Sequence, residues 1–169
     1  MTEPLFKILG SNREAVHGGT GRWPVPGEWH RVHGDLIPCE NGLHVCRVRD
    51  LIYWMREGAW VWRVETNPRF TRVEQVDKLV VREARLTKPV GVLTARVLRL
   101  FAADCAESVA HLHGSEPRCV EAIRVARLFA HGLATDTHRA AAGAAAWDAA
   151  RAAQGENLLA ITGRYGGVK

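Results

Sequence analysis

No run of about eighteen consecutive apolar residues occurs in this chain of 169 residues, so no membrane-spanning helix and no membrane partner is expected. The opening Met1-Thr2-Glu3-Pro4 lacks a basic region followed by an apolar one, which makes the cytoplasm the expected compartment. Cysteine is sparse: Cys39, Cys46, Cys105 and Cys119 are expected to stay reduced there rather than form a disulfide framework. A second close cysteine pair is missing, which removes the usual zinc ribbons and knuckles. The glycine run at 17–21 has no Gly-Lys-Ser/Thr ending and precedes Trp-Pro rather than a helix, so it is no P-loop. No strict repeat is visible.

What is present suits an ordinary globular protein, with 47% hydrophobic and 24% charged residues and enough length for one good core or two small ones. The net charge of +5 favours anionic partners, nucleic acid among them. Its densest basic stretch, Arg63, Arg69, Arg72, Lys78, Arg82, Arg85 and Lys88, alternates with apolar residues. That pattern fits a solvated sheet face as well as a phosphate-binding stripe.

Two regimes of spacing divide the chain, and together they predict an α+β protein. Residues 1–88 predict a small twisted sheet, antiparallel or mixed, with one short helix. Leu5-Phe6-Lys7-Ile8-Leu9 reads as a strand ended by Gly10, with Glu14–His17 pairing back onto it. Leu43-His44-Val45-Cys46 alternates, which puts His44 and Cys46 on one face and Leu43 and Val45 on the other. Asp50 is expected to cap a helix over Leu51–Met55 that Gly58 closes. Trp60–Glu65 and Lys78–Leu86 complete the strands, the last ended by Pro89. Residues 92–155 predict three helices. The first carries the stripe Val97, Leu98, Phe101, Cys105, Val109 and Leu112, and the second starts at Pro117, carries Val120, Ile123, Ala126 and Ala130, and ends at Gly132. The third, capped by Thr135 or Asp136, is alanine-rich, with Trp147 its large buried side chain and Gly155 its end. Residues 156–169 are expected to be a flexible Gly-rich tail. Asp104 is expected to pair with Arg85 or Arg127 across a partly buried interface.

Candidate chemistry concentrates in His17-Gly18-Gly19-Thr20-Gly21-Arg22-Trp23-Pro24 and in Cys39-Glu40-Asn41-Gly42-Leu43-His44-Val45-Cys46. Glycines there permit either a ligand to approach backbone closely or a tight turn packed beneath Trp23. Cys39, His44 and Cys46, with His33 upstream, are zinc-type donors, but their spacing matches no standard site and zinc is not favoured. Cys39 or Cys46 beside His17 and the glycine amides also spells a Cys-His nucleophile with an oxyanion hole. Trp23 and Trp29, if exposed together, would mark a contact surface.

Two resemblances follow from these residues. His-Gly-Gly-Thr-Gly with Trp23, Gly-Asp-Leu-Ile-Pro-Cys at 34–39, Asn-Gly-Leu-His-Val-Cys at 41–46, and Leu-Phe-Ala-Ala-Asp-Cys-Ala-Glu at 100–107 resemble a family of uncharacterised proteins of actinobacteria and their phages. The helical part is also similar to helical immunity proteins. A second, mechanistic resemblance is to the ADP-ribosyltransferase fold. It implies that His17 and Gly18 hold NAD, that Gly42 and His44 line the site, that Tyr53 stacks on nicotinamide, and that Glu83, or else Glu65, stabilises the ribosyl cation. His44 stands where that fold usually has an aromatic residue.

The leading expectation is a small cytoplasmic binding protein that recognises a protein partner, in a host-interaction, immunity or anti-defence role. The loop residues Gly18, Gly19, Thr20 and Trp23, with Gly42, His44 and Tyr53, would form its contact site, and the helical part could support self-association. An NAD-using ADP-ribosyltransferase-like enzyme is the first alternative, with no cofactor favoured otherwise. A nucleic-acid-binding accessory protein is the second.

Overall fold

The computed structural model describes residues 3–113 and 116–165, and for 112–113 and 152–165 the backbone alone. The chain divides into two compact units, one ending at Thr94 and one beginning at Ala95. Together they are of the α+β class, with every strand pairing antiparallel.

The first unit is a seven-stranded sheet: β1 Leu5–Leu9, β2 His30–Arg31, β3 Leu43–Arg47, β4 Trp60–Thr66, β5 Arg72–Glu74, β6 Leu79–Val81 and β7 Glu83–Val92. Their order across the sheet is β2-β7-β4-β1-β3-β6-β5. Central β1 is apolar towards both faces, because alternate residues of a strand feed opposite sides. Leu5 and Leu9 join Trp23, Leu43, Val45, Val64, Leu79, Val81, Ala84 and Leu86 in one cluster. Phe6 and Ile8 join Ala59 and Val61 in another, against which Val16, Leu51, Trp54 and Leu93 pack. Burying each of Leu9, Leu79 and Leu86 almost completely contributes about 1.5–3 kcal/mol.

β1 and β3 are joined over two residues only, Leu5↔Arg47 and Phe6↔Cys46. Beyond that pair the sheet forks, with β4, β7 and β2 continuing from β1, and β6 and β5 from β3.

Several expectations are corrected here. Glu14–His17 do not pair along β1; Glu14 bridges Arg22, and its carbonyl accepts the Gly10 amide, so the segment folds into its own hairpin. Asp50 is not a cap. It lies within a 3₁₀ helix over Val48–Trp54, buried against Arg47, because a carboxylate shielded from water needs a cation more than the helix needs a capping oxygen. The single strand expected over 78–86 is two, divided at Arg82, and the second runs through Pro89. Proline is tolerated because β2 covers β7 only at Glu83 and Ala84, and because β7 bulges against β4 on either side of Pro89, where the register with Val61, Trp62 and Val64 shifts.

The second unit contains α1 Ala95–Ser108, a 3₁₀ turn over Ala110–His113, α2 Pro117–Ala130 and α3 Asp136–Tyr165. Pro117 occupies the first turn of α2, the Glu116 carboxylate accepts the Arg118 amide, and Gly132, with φ near 74°, closes the helix. Thr135 Oγ1 accepts the His138 amide and caps α3. Among the described side chains of this unit, small residues, Ala103, Ala130 and Ala149 with Val125, are the buried ones. The expected stripe of α1 is therefore not its packed face: Val97, Phe101 and Val109 are exposed, as is Cys105. Leu112 lies outside the described side chains. Trp147, expected inside, is 66% exposed beneath Arg151. Asp104 does pair with Arg127, at 2.6 Å, but in solvent. Phe129 is flanked by the Arg99 and Arg139 guanidinia at 4.8 and 5.2 Å.

Gly155 does not end α3, which continues to Tyr165. One interior glycine costs about 1 kcal/mol relative to alanine, and the flanking alanines and leucines offset it. The remainder of the expected tail, 166–169, lies outside the described residues.

Candidate functional site

A cavity of about 370 Å³ opens at the fork. Lys7 and Ile8 of β1 both line it, although successive residues of a strand point to opposite faces. Both can do so only where the sheet is parted, which sets the cavity in the gap between β1 and β3. His44 and Cys46 of β3 form a second side, Ala15–Gly19 of the hairpin a third, and Cys39, Trp54 and Lys78 complete it.

The hairpin is fastened at several points. His17 Nε2–H donates to the Trp54 carbonyl at 2.7 Å, and the two rings meet edge-on at 5.3 Å. Arg56 donates to the Val16 carbonyl. Trp54 is itself held by its Nε1–H donating to the Asp77 carbonyl at 2.8 Å. Gly18, with φ near 79°, has open space where a Cβ would stand, so it serves the turn and leaves the backbone accessible.

His44 is held neutral by two arrangements. Its Nε2 accepts the Cys39 amide at 3.3 Å, and burial, followed by the charges of Lys7 and Lys78, pushes its pKa below the ordinary histidine value. Cys39 adopts φ near 68°, an uncommon conformation for a side-chain-bearing residue, and faces the Lys78 ammonium with Sγ 3.6 Å from Nζ. Lys78 is buried, lies 5.1 Å from the Trp54 ring centre, and reaches Asp77 only at 4.0 Å. Burial pushes the Cys46 thiol up to about 11, so it stays protonated at neutral pH. Lys7 is held down to about 8, chiefly by burial.

His17, Gly18, Gly19, Cys39, His44 and Cys46 are thus brought together, as the two motifs suggested. The remaining candidates are not. Glu83 accepts a hydrogen bond from Asn67 at 2.5 Å, Glu65 accepts two from Arg85 at 2.9 and 2.7 Å, and neither lines the cavity. Tyr53 is 66% exposed, and its neighbour Trp54 takes the cavity wall instead. Trp23 is a core residue, edge-on to His30, while Trp29 lies on the surface beneath Arg85, so the two are not exposed together. Thr20 is exposed outside the cavity. Gly42 is structural: a Cβ there would stand 2.2 Å from Val80 Cγ1. His33 is exposed, and its carbonyl accepts from Asn41. Among the described residues no three His, Cys, Asp or Glu side chains gather where they could share a metal ion.

Much of the basic stretch is already engaged. Arg72 pairs with Glu74, Arg85 with Glu65, and Arg82 with the Gly34 carbonyl, while Lys78 belongs to the cavity. Sequence reasoning missed Lys7, Lys78 and Trp54 as site residues. The signal for Lys7 was its position, a lysine within an otherwise apolar central strand. No protein-family model, curated protein or solved structure matches the chain, so the site's chemistry has to come from its own residues.

Proposed function

We propose that the sheet unit is a binding domain for a small organic anion, a phosphate or carboxylate held in the fork cavity. The observation that carries this is the charge of the lining: two lysines and no carboxylate, with two histidine rings and the glycine backbone of the hairpin beside them. Ammonium groups in a half-enclosed site attract anions more strongly than they would in bulk water, and exposed backbone N–H groups add orientation. The volume is at the small end of ligand sites, which span about 300–1,000 Å³. NAD and its adenylate fragments belong in the ligand panel. With both glutamates engaged elsewhere, the lining supports binding rather than ribosyl transfer.

Calorimetric titration with inorganic phosphate, AMP, NAD and a dicarboxylate is the test. At least one anion should bind, and Lys78→Met should weaken it tenfold or more. Absence of heat with every anion at millimolar concentration, or equal affinity in the variant, would sink the proposal.

Recognition of a protein partner is a second reading. It is favoured by Val48, Ile52 and Tyr53, all more than half exposed on the 3₁₀ helix next to the cavity residue Trp54. Tyr53→Glu should then abolish capture of the partner without altering anion binding.

A further inference from the structure

Lys7 has no carboxylate within ion-pairing distance among the described residues, and the contact found for its ammonium is the Trp23 ring, 5.7 Å away. It is half-buried, it lines the cavity, and a buried lysine, Lys78, lines the same cavity. A lysine removed from water beside another cation is the arrangement in which an amine becomes nucleophilic at neutral pH, because both influences disfavour the ammonium form. Lys78 differs, having the Cys39 sulfur and the Trp54 ring as neighbours and Asp77 at the limit of reach.

We infer that Lys7 is a reactive amine that captures a small anionic carbonyl compound, an oxo acid or an aldehyde bearing a phosphate, as an imine within the fork cavity. This rests on the anion-binding reading, since the charged group of the ligand is what brings its carbonyl to Lys7. The unprotonated amine adds to the carbonyl carbon, forming the N–C bond. The carbonyl oxygen then leaves as water with the two amine protons, and the nitrogen lone pair becomes the second bond of the C=N group. No oxidant or reductant takes part. Burial, which holds Lys7 down to about 8, leaves a usable unprotonated fraction at neutral pH. The neutral ring of His44 adds no competing charge, and Cys46, whose influence opposes that of Lys78, does not outweigh burial.

The test treats the intact chain at pH 7 with pyridoxal 5′-phosphate, an anionic aldehyde, or with pyridoxal, its uncharged counterpart, followed by borohydride and peptide mapping. Exposed Lys88 is the internal reference, so the result does not depend on any variant folding. Lys7 should acquire the reduced adduct at least tenfold faster than Lys88 with the phosphate reagent, and lose most of that advantage with pyridoxal. Lys7→Arg, which keeps the charge but forms no imine, should abolish the fast phase. Equal labelling of Lys7 and Lys88, or no label on Lys7, overturns the inference, and it does so alone if phosphate still binds calorimetrically. Fast labelling of Lys7 by both reagents alike keeps the reactive amine and overturns the anion-binding reading instead.

Discussion

Replacing Arg47 by methionine should destabilise the sheet unit by about 3–5 kcal/mol, the usual cost of leaving a buried charge without its partner. Arg47 is 5% exposed and holds three carboxylates: Asp50 at 3.4 Å, Glu74 at 2.7 Å and Glu3 at 3.5 Å. Glu74 and Glu3 are about half exposed, so water compensates them and their loss costs little, about 0–1 kcal/mol each. Asp50 is different. Its side chain is 3% exposed, and among the described residues the one other cation near it, Arg49 at 3.7 Å, lies mostly in solvent. The penalty therefore belongs to Asp50, and the double variant Arg47→Met with Asp50→Leu should recover most of it. Urea unfolding followed by tryptophan fluorescence is a suitable assay, since Trp23, Trp29, Trp54, Trp60 and Trp62 all lie in this unit and only Trp147 outside it. For a unit of this size each 1 kcal/mol corresponds to roughly 4–8 °C in Tm, so thermal melts give a second reading. A loss below about 1 kcal/mol in Arg47→Met, or a double variant no more stable than the single one, would refute the reasoning.

Two other outcomes follow from the same physics. Gly42→Ala should cost about 2 kcal/mol or more, because φ near 150° is unfavourable for a side chain and the new Cβ meets Val80; wild-type stability in urea would show Gly42 is free of that constraint. Lys7 and Cys46 impose opposite pH dependences. Between pH 8 and 10.5 the unfolded chain holds the Lys7 proton that the folded chain has released, so this group makes stability rise with pH. Between pH 9 and 11 the folded chain keeps the Cys46 proton that the unfolded chain loses, so that group makes stability fall. Cys46→Ala removes the falling contribution, and its urea midpoint should climb from pH 8 to 10 by more than that of the wild type; parallel profiles would refute it.

What could be read in the sequence was local. The alternation at 43–46 placed Leu43 and Val45 in the core and His44 and Cys46 at the cavity. Pro117, Gly132 and Thr135 marked helix ends through chemistry contained in one turn. What escaped was set by distant segments. β2 and β5 have two and three residues, too few for a period, and exist because β7 and β6 offer them an edge. The division at Arg82 and the passage through Pro89 depend on which neighbours each strand has. Half the candidate site was legible because the glycine hairpin and the 39–46 segment announce themselves by composition. Order along the chain misplaced Glu83, Glu65 and Tyr53, since order does not say on which side of a sheet a residue falls. Lys7 and Lys78, 71 positions apart, meet at one cavity only because β1 and β3 part after two pairs.

The open margin of β7 has a consequence for life at high concentration. Past Leu86, whose carbonyl accepts the Gly27 amide, Thr87, Lys88, Pro89 and Val90 lie exposed along an outer strand, Val90 at 59%. An unguarded margin of this kind would invite a second copy to add its own strand and propagate a filament. Lys88 brings charge to each such approach, and Pro89 withholds the amide that the incoming strand would need. The residue that looks out of place in a strand thus makes this edge a poor template for strand addition, and changing Lys88-Pro89 to Thr-Val would remove both obstacles.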